Sequence, residues 1–101
     1  MPKFVYLYTG GTASQAAMSE EESKEVMQAW MDWLGAMGNH VTDVGNPFGA
    51  CGAVKGSPKS GASGYTIVEA GSLDEAIEHA KGCPIFRNET GNVEVFEALA
   101  M

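Results

Sequence analysis

Two serine-led helix starts divide this chain and set the order of everything around them. Ser19 stands ahead of Glu20, Glu21 and Glu22, and Ser72 ahead of Leu73, Asp74 and Glu75. In each, a serine oxygen can accept from the N–H three residues on, and a Glu can reach back to the cap. The acids also lie over the positive end of the helix dipole. Behind Ser19, the residues Val26, Met27, Trp30, Trp33, Leu34 and Met37 recur at helical spacing. Gly38-Asn39 ends that run, since both tolerate left-handed backbone. Behind Ser72 the apolar stripe is Leu73, Ala76, Ile77 and Ala80, closed by Gly82 with Pro84 just beyond. His79 falls opposite that stripe and reads as part of a solvated face.

Extended runs fill the rest of the chain. Phe4 to Tyr8 is a continuous aromatic and β-branched run that reads as a strand buried on both faces. Ser14 to Met18 is a small-residue loop. His40 to Val44 predicts a second strand, interrupted by Gly45-Asn46-Pro47-Phe48-Gly49, after which Ala50 to Val54 can resume pairing. Lys55 to Ser63 reads as a long hairpin loop, Tyr65 to Ala70 as the third strand and Val93 to Leu99 as the last. The order is β-α-β-β-α-β in one α+β domain spanning residues 1–101. Two helices cover one face of a four-stranded sheet. With the first strand apolar on both faces and Thr66-Ile67-Val68 largely so, the second face needs a cover. A second copy of the same sheet supplies it, which predicts a homodimer.

Composition narrows the partners. Thirteen acidic against six basic residues give a formal charge of -7. A phosphate backbone or an anionic membrane surface is repelled by that balance, and no Lys/Arg cluster offsets it. Cys51 and Cys83 form no C-x-x-C pair and no disulfide framework, which fits reduced thiols and a cytoplasmic setting. The opening MPKFVYLYTGG carries too short an apolar run for a signal-peptide core, and no run reaches the length of a membrane span. The two histidines read as distant from each other and the acids as scattered. No metal site and no cofactor is expected on that basis.

Four stretches, in order, point to a family. They are FVYLY at the start; Trp33-Leu34-Gly35-Ala36-Met37-Gly38 running into Val41-Thr42-Asp43-Val44-Gly45; Gly64-Tyr65-Thr66-Ile67-Val68-Glu69-Ala70 with Ser72-Leu73-Asp74-Glu75-Ala76; and Ala80-Lys81-Gly82-Cys83-Pro84-Ile85 before Val93-Glu94-Val95. Together they resemble the YCII-related proteins, including the branch named for a DGPF motif. The resemblance implies a ferredoxin-like βαββαβ fold with a four-stranded antiparallel sheet, dimerised as an α/β barrel. It also implies relatives that process muconolactones or remove chloride, domains that accompany sigma factors, and a His-Asp pair as active site in part of the family. Asp43 matches the family aspartate. Counting back along the first helix, the histidine position falls near Gln28, and that helix contains no histidine. The DGPF signature is altered as well, reading Asp43-Val44-Gly45-Asn46-Pro47-Phe48.

Asp43 is the leading catalytic candidate, because desolvation among apolar strand neighbours makes a carboxylate a usable general base. The structural alternative is an Asx bond capping the Gly45-Asn46-Pro47 turn. His40 is the second candidate, though residues three apart on a regular strand face opposite ways. Tyr6, Tyr8, Gln28, Trp33, Pro47 and Phe48 are the expected pocket residues, with the indoles of Trp30 and Trp33 equally at home in a core. Cys83 follows a helix C-terminus, whose negative end disfavours thiolate. Two functions remain open. One is an enzyme that abstracts a proton from a small organic acid or lactone, leading to isomerisation or dehydrochlorination, with Asp43 as base. The other is a non-catalytic dimeric module that binds a ligand or a protein.

Overall fold

Strand β1 (Lys3–Thr9) is the hub of the sheet. It pairs antiparallel with β3 (Ala62–Glu69) on one side and with β4 (Asn92–Ala98) on the other. The short β2 (Val41–Asp43) pairs antiparallel with β3, giving the order β2-β3-β1-β4. Helix α1 (Glu20–Met37) joins β1 to β2, and helix α2 (Leu73–Ala80) joins β3 to β4. This is the β-α-β-β-α-β order read from the residues, in the ferredoxin-like arrangement the resemblance implies. The structure is a computed structural model that describes residues 2–10, 19–87 and 90–99. The loop Ser14 to Met18 lies outside the described residues. Among those described, no helix is long and apolar enough to cross a membrane.

The caps form as the local chemistry dictates. Ser19 Oγ accepts from the Glu22 N–H at 3.2 Å, and Ser72 Oγ from the Glu75 N–H at 3.1 Å. Gly38 ends α1 at φ 54° and opens a short 3-10 turn, Gly38–His40, so β2 begins one residue later than the expected His40.

The core lies between the sheet and the two helices. Phe4, Tyr6 and Tyr8 on β1 alternate inwards with Thr66 and Val68 on β3, against Trp33 and Met37 of α1 and Ala76 and Ala80 of α2. Each large side chain removed from water here contributes about 1.5–3 kcal/mol. Strand β1 is thus buried on one face, while Val5 and Leu7 on the other are half-buried. They share that face with Tyr65 and Ile67 of β3 and with Phe96 of β4, which is 50% exposed. The molecule is a slab of 40 × 39 × 20 Å. Its radius of gyration is 14.2 Å, against about 13 Å for a compact chain of this length. Two layers, with one sheet face left open, account for that shape.

Two expected details differ. Ala50 to Val54 does not resume pairing; instead Pro47 bridges to Gly64, two residues after β3 begins at Ala62. The stretch carries only Ala and Gly besides Cys51 and Val54, both exposed, so it has nothing to bury against the sheet. Helix α2 is also rotated. Ala76 and Ala80 face the sheet, while Leu73 and Ile77 are 45% and 39% exposed. The rotation follows from two polar anchors: the Tyr6 hydroxyl donates to the Ala76 carbonyl, and the Trp33 indole N–H donates to the His79 carbonyl at 2.9 Å. Only small residues allow that approach.

Candidate functional site

A groove of about 590 Å³ opens between α1 and the turn that follows β2, within the range typical of small-molecule sites. Val26, Met27, Trp30 and Leu34 form the helix wall. Val44, Gly45, Asn46, Pro47 and Phe48 form the turn wall. Tyr8, Ser63, Gly64, Tyr65 and Thr66 make the floor, and Pro84, Ile85 and Arg87 close one end.

The turn wall is held by a sequence of bonds to β3. The Phe48 N–H donates to the Ser63 carbonyl at 2.8 Å, and the Tyr65 N–H to the Asn46 carbonyl at 3.3 Å. Gly45 sits at φ 73°, and a Cβ there would lie 1.7 Å from the Tyr65 carbonyl oxygen. Only glycine lets the two backbones approach so closely. The groove is strongly aromatic. The Tyr8 and Trp30 rings meet edge to face at 5.0 Å, and Phe48 stacks on Tyr65 at 5.7 Å.

The floor carries a polar relay. The Tyr8 hydroxyl donates to Thr66 Oγ1 at 2.6 Å, and Thr66 Oγ1 donates onward to the Val44 carbonyl at 2.9 Å. Each hydroxyl has one proton and both protons are spent, so the Tyr8 oxygen has only acceptor capacity left. Burial pushes the Tyr8 hydroxyl well above its ordinary value, which keeps it neutral. Arg87 is the one charged side chain among the described lining residues, and it is the chain's only arginine.

Of the expected pocket residues, Tyr8, Pro47 and Phe48 line the groove. Tyr6 is fully buried in the core beneath α2, where burial raises its hydroxyl to about 12. Trp33 is core as well, stacked on Tyr6 at 6.0 Å. Gln28 is on the exposed side of α1, donating to Asp32 Oδ1 at 2.9 Å, because its position on the helix turns away from the apolar stripe. Asp43 is exposed, and its Oδ1 accepts the Gly45 N–H at 2.9 Å, the Asx geometry of a turn cap. His40 is turned away from it, with Nδ1 3.0 Å from the Glu69 carbonyl oxygen. Cys83 is buried, and burial pushes its thiol up to about 12, which leaves it unreactive.

The expectation that the two histidines lie apart is overturned, since their ring centroids are 4.8 Å apart. Antiparallel pairing of β2 with β3 returns His40 beside Glu69, and the chain turns from there directly into α2. His79 is correspondingly half-buried rather than solvated, because the rotated helix places it on the border of the packed face.

Thr66, Trp30, Tyr65 and Arg87 complete the groove without having been singled out for it, apart from Trp30, which was weighed between pocket and core. The lone arginine in an acidic chain was the one signal available for Arg87.

No protein-family model matches the chain, and no curated protein does. Among solved structures the fold is similar to that of 5-chloro-2-hydroxyhydroquinone dehydrochlorinase (TftG) from Burkholderia phenoliruptrix AC1100, in complex with 2,5-dihydroxybenzoquinone. The TM-score is 0.59 at 20% sequence identity, covering 94% of this chain and 90% of that one. At that identity the likeness is one of fold, and it extends along nearly the whole chain.

Proposed function

We propose that this chain binds a small planar organic anion in the groove between α1 and the Val44–Phe48 turn. The observation that carries the reading is the lining itself: Tyr8, Trp30 and Phe48 offer ring faces and edges, and among the described lining residues the only charge is the cation of Arg87. A flat ring or lactone bearing a carboxylate or phenolate meets apolar walls, a hydrogen-bond acceptor at the Tyr8 oxygen and a guanidinium at the end. The net charge of -7 opposes anions in general, so a cation at the groove selects where one binds.

The test is a thermal-shift screen with aromatic carboxylates, hydroxyquinones and unsaturated lactones. A ligand at one hundred times its Kd adds about 2.7 kcal/mol of stability. Stabilisation that disappears in Arg87→Met and in Trp30→Leu supports the assignment. A shift indifferent to both substitutions places the ligand elsewhere and refutes it.

A catalytic reading has one observation in its favour: the structurally similar protein is a dehydrochlorinase. In that reading Asp43, at the foot of the turn wall, removes a proton α to a carbonyl, and halide loss or isomerisation follows. Asp43→Asn separates the two, because the amide oxygen still accepts the Gly45 N–H. Turnover of a bound compound lost with binding intact makes Asp43 the base; binding without turnover in either protein leaves the groove as a binding site only.

The open sheet face belongs to the same proposal. Val5, Leu7, Tyr65, Ile67 and Phe96 form an apolar surface opposite the helices, and a second copy of the sheet is the partner that matches it in size and chemistry. Sedimentation equilibrium of the parent and of Leu7→Glu reads this directly. A parent dimer that the glutamate converts to monomer supports it, and a monomeric parent sinks it.

A further inference from the structure

His79 carries an unexplained polar atom. Its Nε2 is shut away from solvent and, among the described residues, has no hydrogen-bond partner, although the side chain as a whole is 31% exposed. The nitrogen therefore turns inwards although part of the side chain is open to water. An orphaned buried nitrogen in a native structure calls for an explanation, a bound ion or water being one.

Among the described residues, two side chains lie against that ring. Glu75 Oε1, one turn earlier on α2, lies 3.6 Å away, too far for a hydrogen bond. The His40 ring lies against the His79 ring at 4.8 Å with a tilt of 37°. His40, Glu75 and His79 each offer one ligand atom, and the three atoms lie within 4.8 Å of one another. None of the three lines the groove described above.

Contacts outside this cluster already orient its members. A carbonyl oxygen only accepts, so the His40 Nδ1 that sits 3.0 Å from the Glu69 oxygen carries the proton. His40 Nε2 then keeps its lone pair. Glu75 Oε2 accepts the Gly71 N–H at 3.2 Å, which leaves Oε1 turned towards His79. The His79 carbonyl accepts the Trp33 indole N–H, pinning the turn of helix that carries the ring. Backbone carbonyls and N–H groups in these positions are the outer supports that metal-binding imidazoles and carboxylates use.

We propose that His40, His79 and Glu75 hold one divalent transition-metal ion, Zn²⁺ being the best match, with a fourth position left for water. Two neutral imidazoles and a carboxylate are a borderline ligand set that suits zinc, whereas calcium and magnesium select oxygen. Donors about 2.0–2.2 Å from a tetrahedral zinc stand about 3.4 Å from each other. The present spread closes to that by turning the Glu75 side chain and the His79 ring. Both sit on one face of α2, so the backbone keeps its course. The orphaned nitrogen then gains a partner, and the anionic Glu75 a counter-charge.

Tag-free protein stripped with chelator, then titrated with Zn²⁺ by calorimetry and with Co²⁺ by visible absorption near neutral pH, tests the site. The expected result is saturable uptake of one ion per chain, a rise in Tm, and cobalt ligand-field bands without thiolate charge transfer. His40→Ala, His79→Ala and Glu75→Gln should each weaken uptake at least about tenfold, while Cys51→Ser and Glu78→Gln leave it unchanged. His79→Leu guards against simple misfolding: without metal it should be as stable as the parent, since it removes the orphaned nitrogen, yet take up no ion. Absence of saturable uptake, uptake undiminished in His79→Ala, or a thiolate band overturns the proposal.

Discussion

The hydroxyl relay under the groove makes an unequal prediction for its two members. Tyr8→Phe removes the terminal donor. Thr66 Oγ1 loses an incoming bond but still donates to the Val44 carbonyl, so no buried donor is stranded. The expected loss is about 1 kcal/mol. Thr66→Val keeps the shape of the side chain and removes the middle of the relay. It strands the Tyr8 hydroxyl, in a residue only 6% exposed, and deprives the Val44 carbonyl of its donor. With each unsatisfied group costing about 1–3 kcal/mol, the expected loss is about 2–6 kcal/mol. The double variant should be less damaged than the sum of the singles, because Tyr8→Phe deletes the hydroxyl that Thr66→Val strands. Urea unfolding at neutral pH, compared through the midpoint at constant m, reads all four proteins. In thermal terms each kcal/mol corresponds to a Tm shift of about 4–8 °C for a domain this small. A Thr66→Val variant no less stable than Tyr8→Phe, or losses that simply add, would refute the relay.

Other outcomes follow from the same geometry. Gly45→Ala should cost more than about 2 kcal/mol, because it combines a left-handed φ with a Cβ driven into the Tyr65 carbonyl; equilibrium unfolding checks it, and Gly49→Ala, where no atom lies within 4 Å, is the matched control. Stability should fall in alkali. Burial raises Cys83 from 9.0 to about 12 and Tyr6 from 10.0 to about 12. The neutral forms belong to the fold, so their contribution is complete below pH 9 and drains away as pH climbs towards 12. Denaturant midpoints measured across that window should drop, and Cys83→Ala should flatten the first part of the fall. Lys81→Ala should change stability by no more than about 0.5 kcal/mol, since its 2.6 Å bridge to Glu78 is exposed at both ends.

What the sequence made legible was local. The two serine caps, the six elements in order and the single apolar stripe of α1 all depend on residues within a turn or two of each other, and the structure contains them. Non-local geometry was out of reach. Nothing in the spacing of Leu73, Ala76, Ile77 and Ala80 shows that Tyr6 and Trp33 grip the α2 carbonyls and rotate the helix about its axis. Likewise, Ala50 to Val54 looked able to pair until β3 proved to take Pro47 as its neighbour. The pocket was half legible for the same reason. Tyr8, Pro47 and Phe48 line it from a strand face and a turn, whereas Thr66 and Arg87 join the groove only through sheet register and the short 3-10 turn Pro84–Arg87 after α2. The proximity of His40 and His79, from opposite halves of the chain, depends wholly on β2 returning alongside β3.

The bonds from Val44, Asn46 and Phe48 to β3 bear on how the groove handles guests of different size. One jaw of the groove is clamped to the central sheet by three hydrogen bonds and a glycine contact, so it moves only if the sheet moves. The opposite jaw is the outer edge of α1, where Met27 is 66% exposed and has three side-chain torsions free to swing. Accommodation therefore falls to one side. If the groove takes a ring as proposed, a broader one would be admitted by displacing a thioether at the helix, whereas extra bulk directed at the turn would meet fixed backbone.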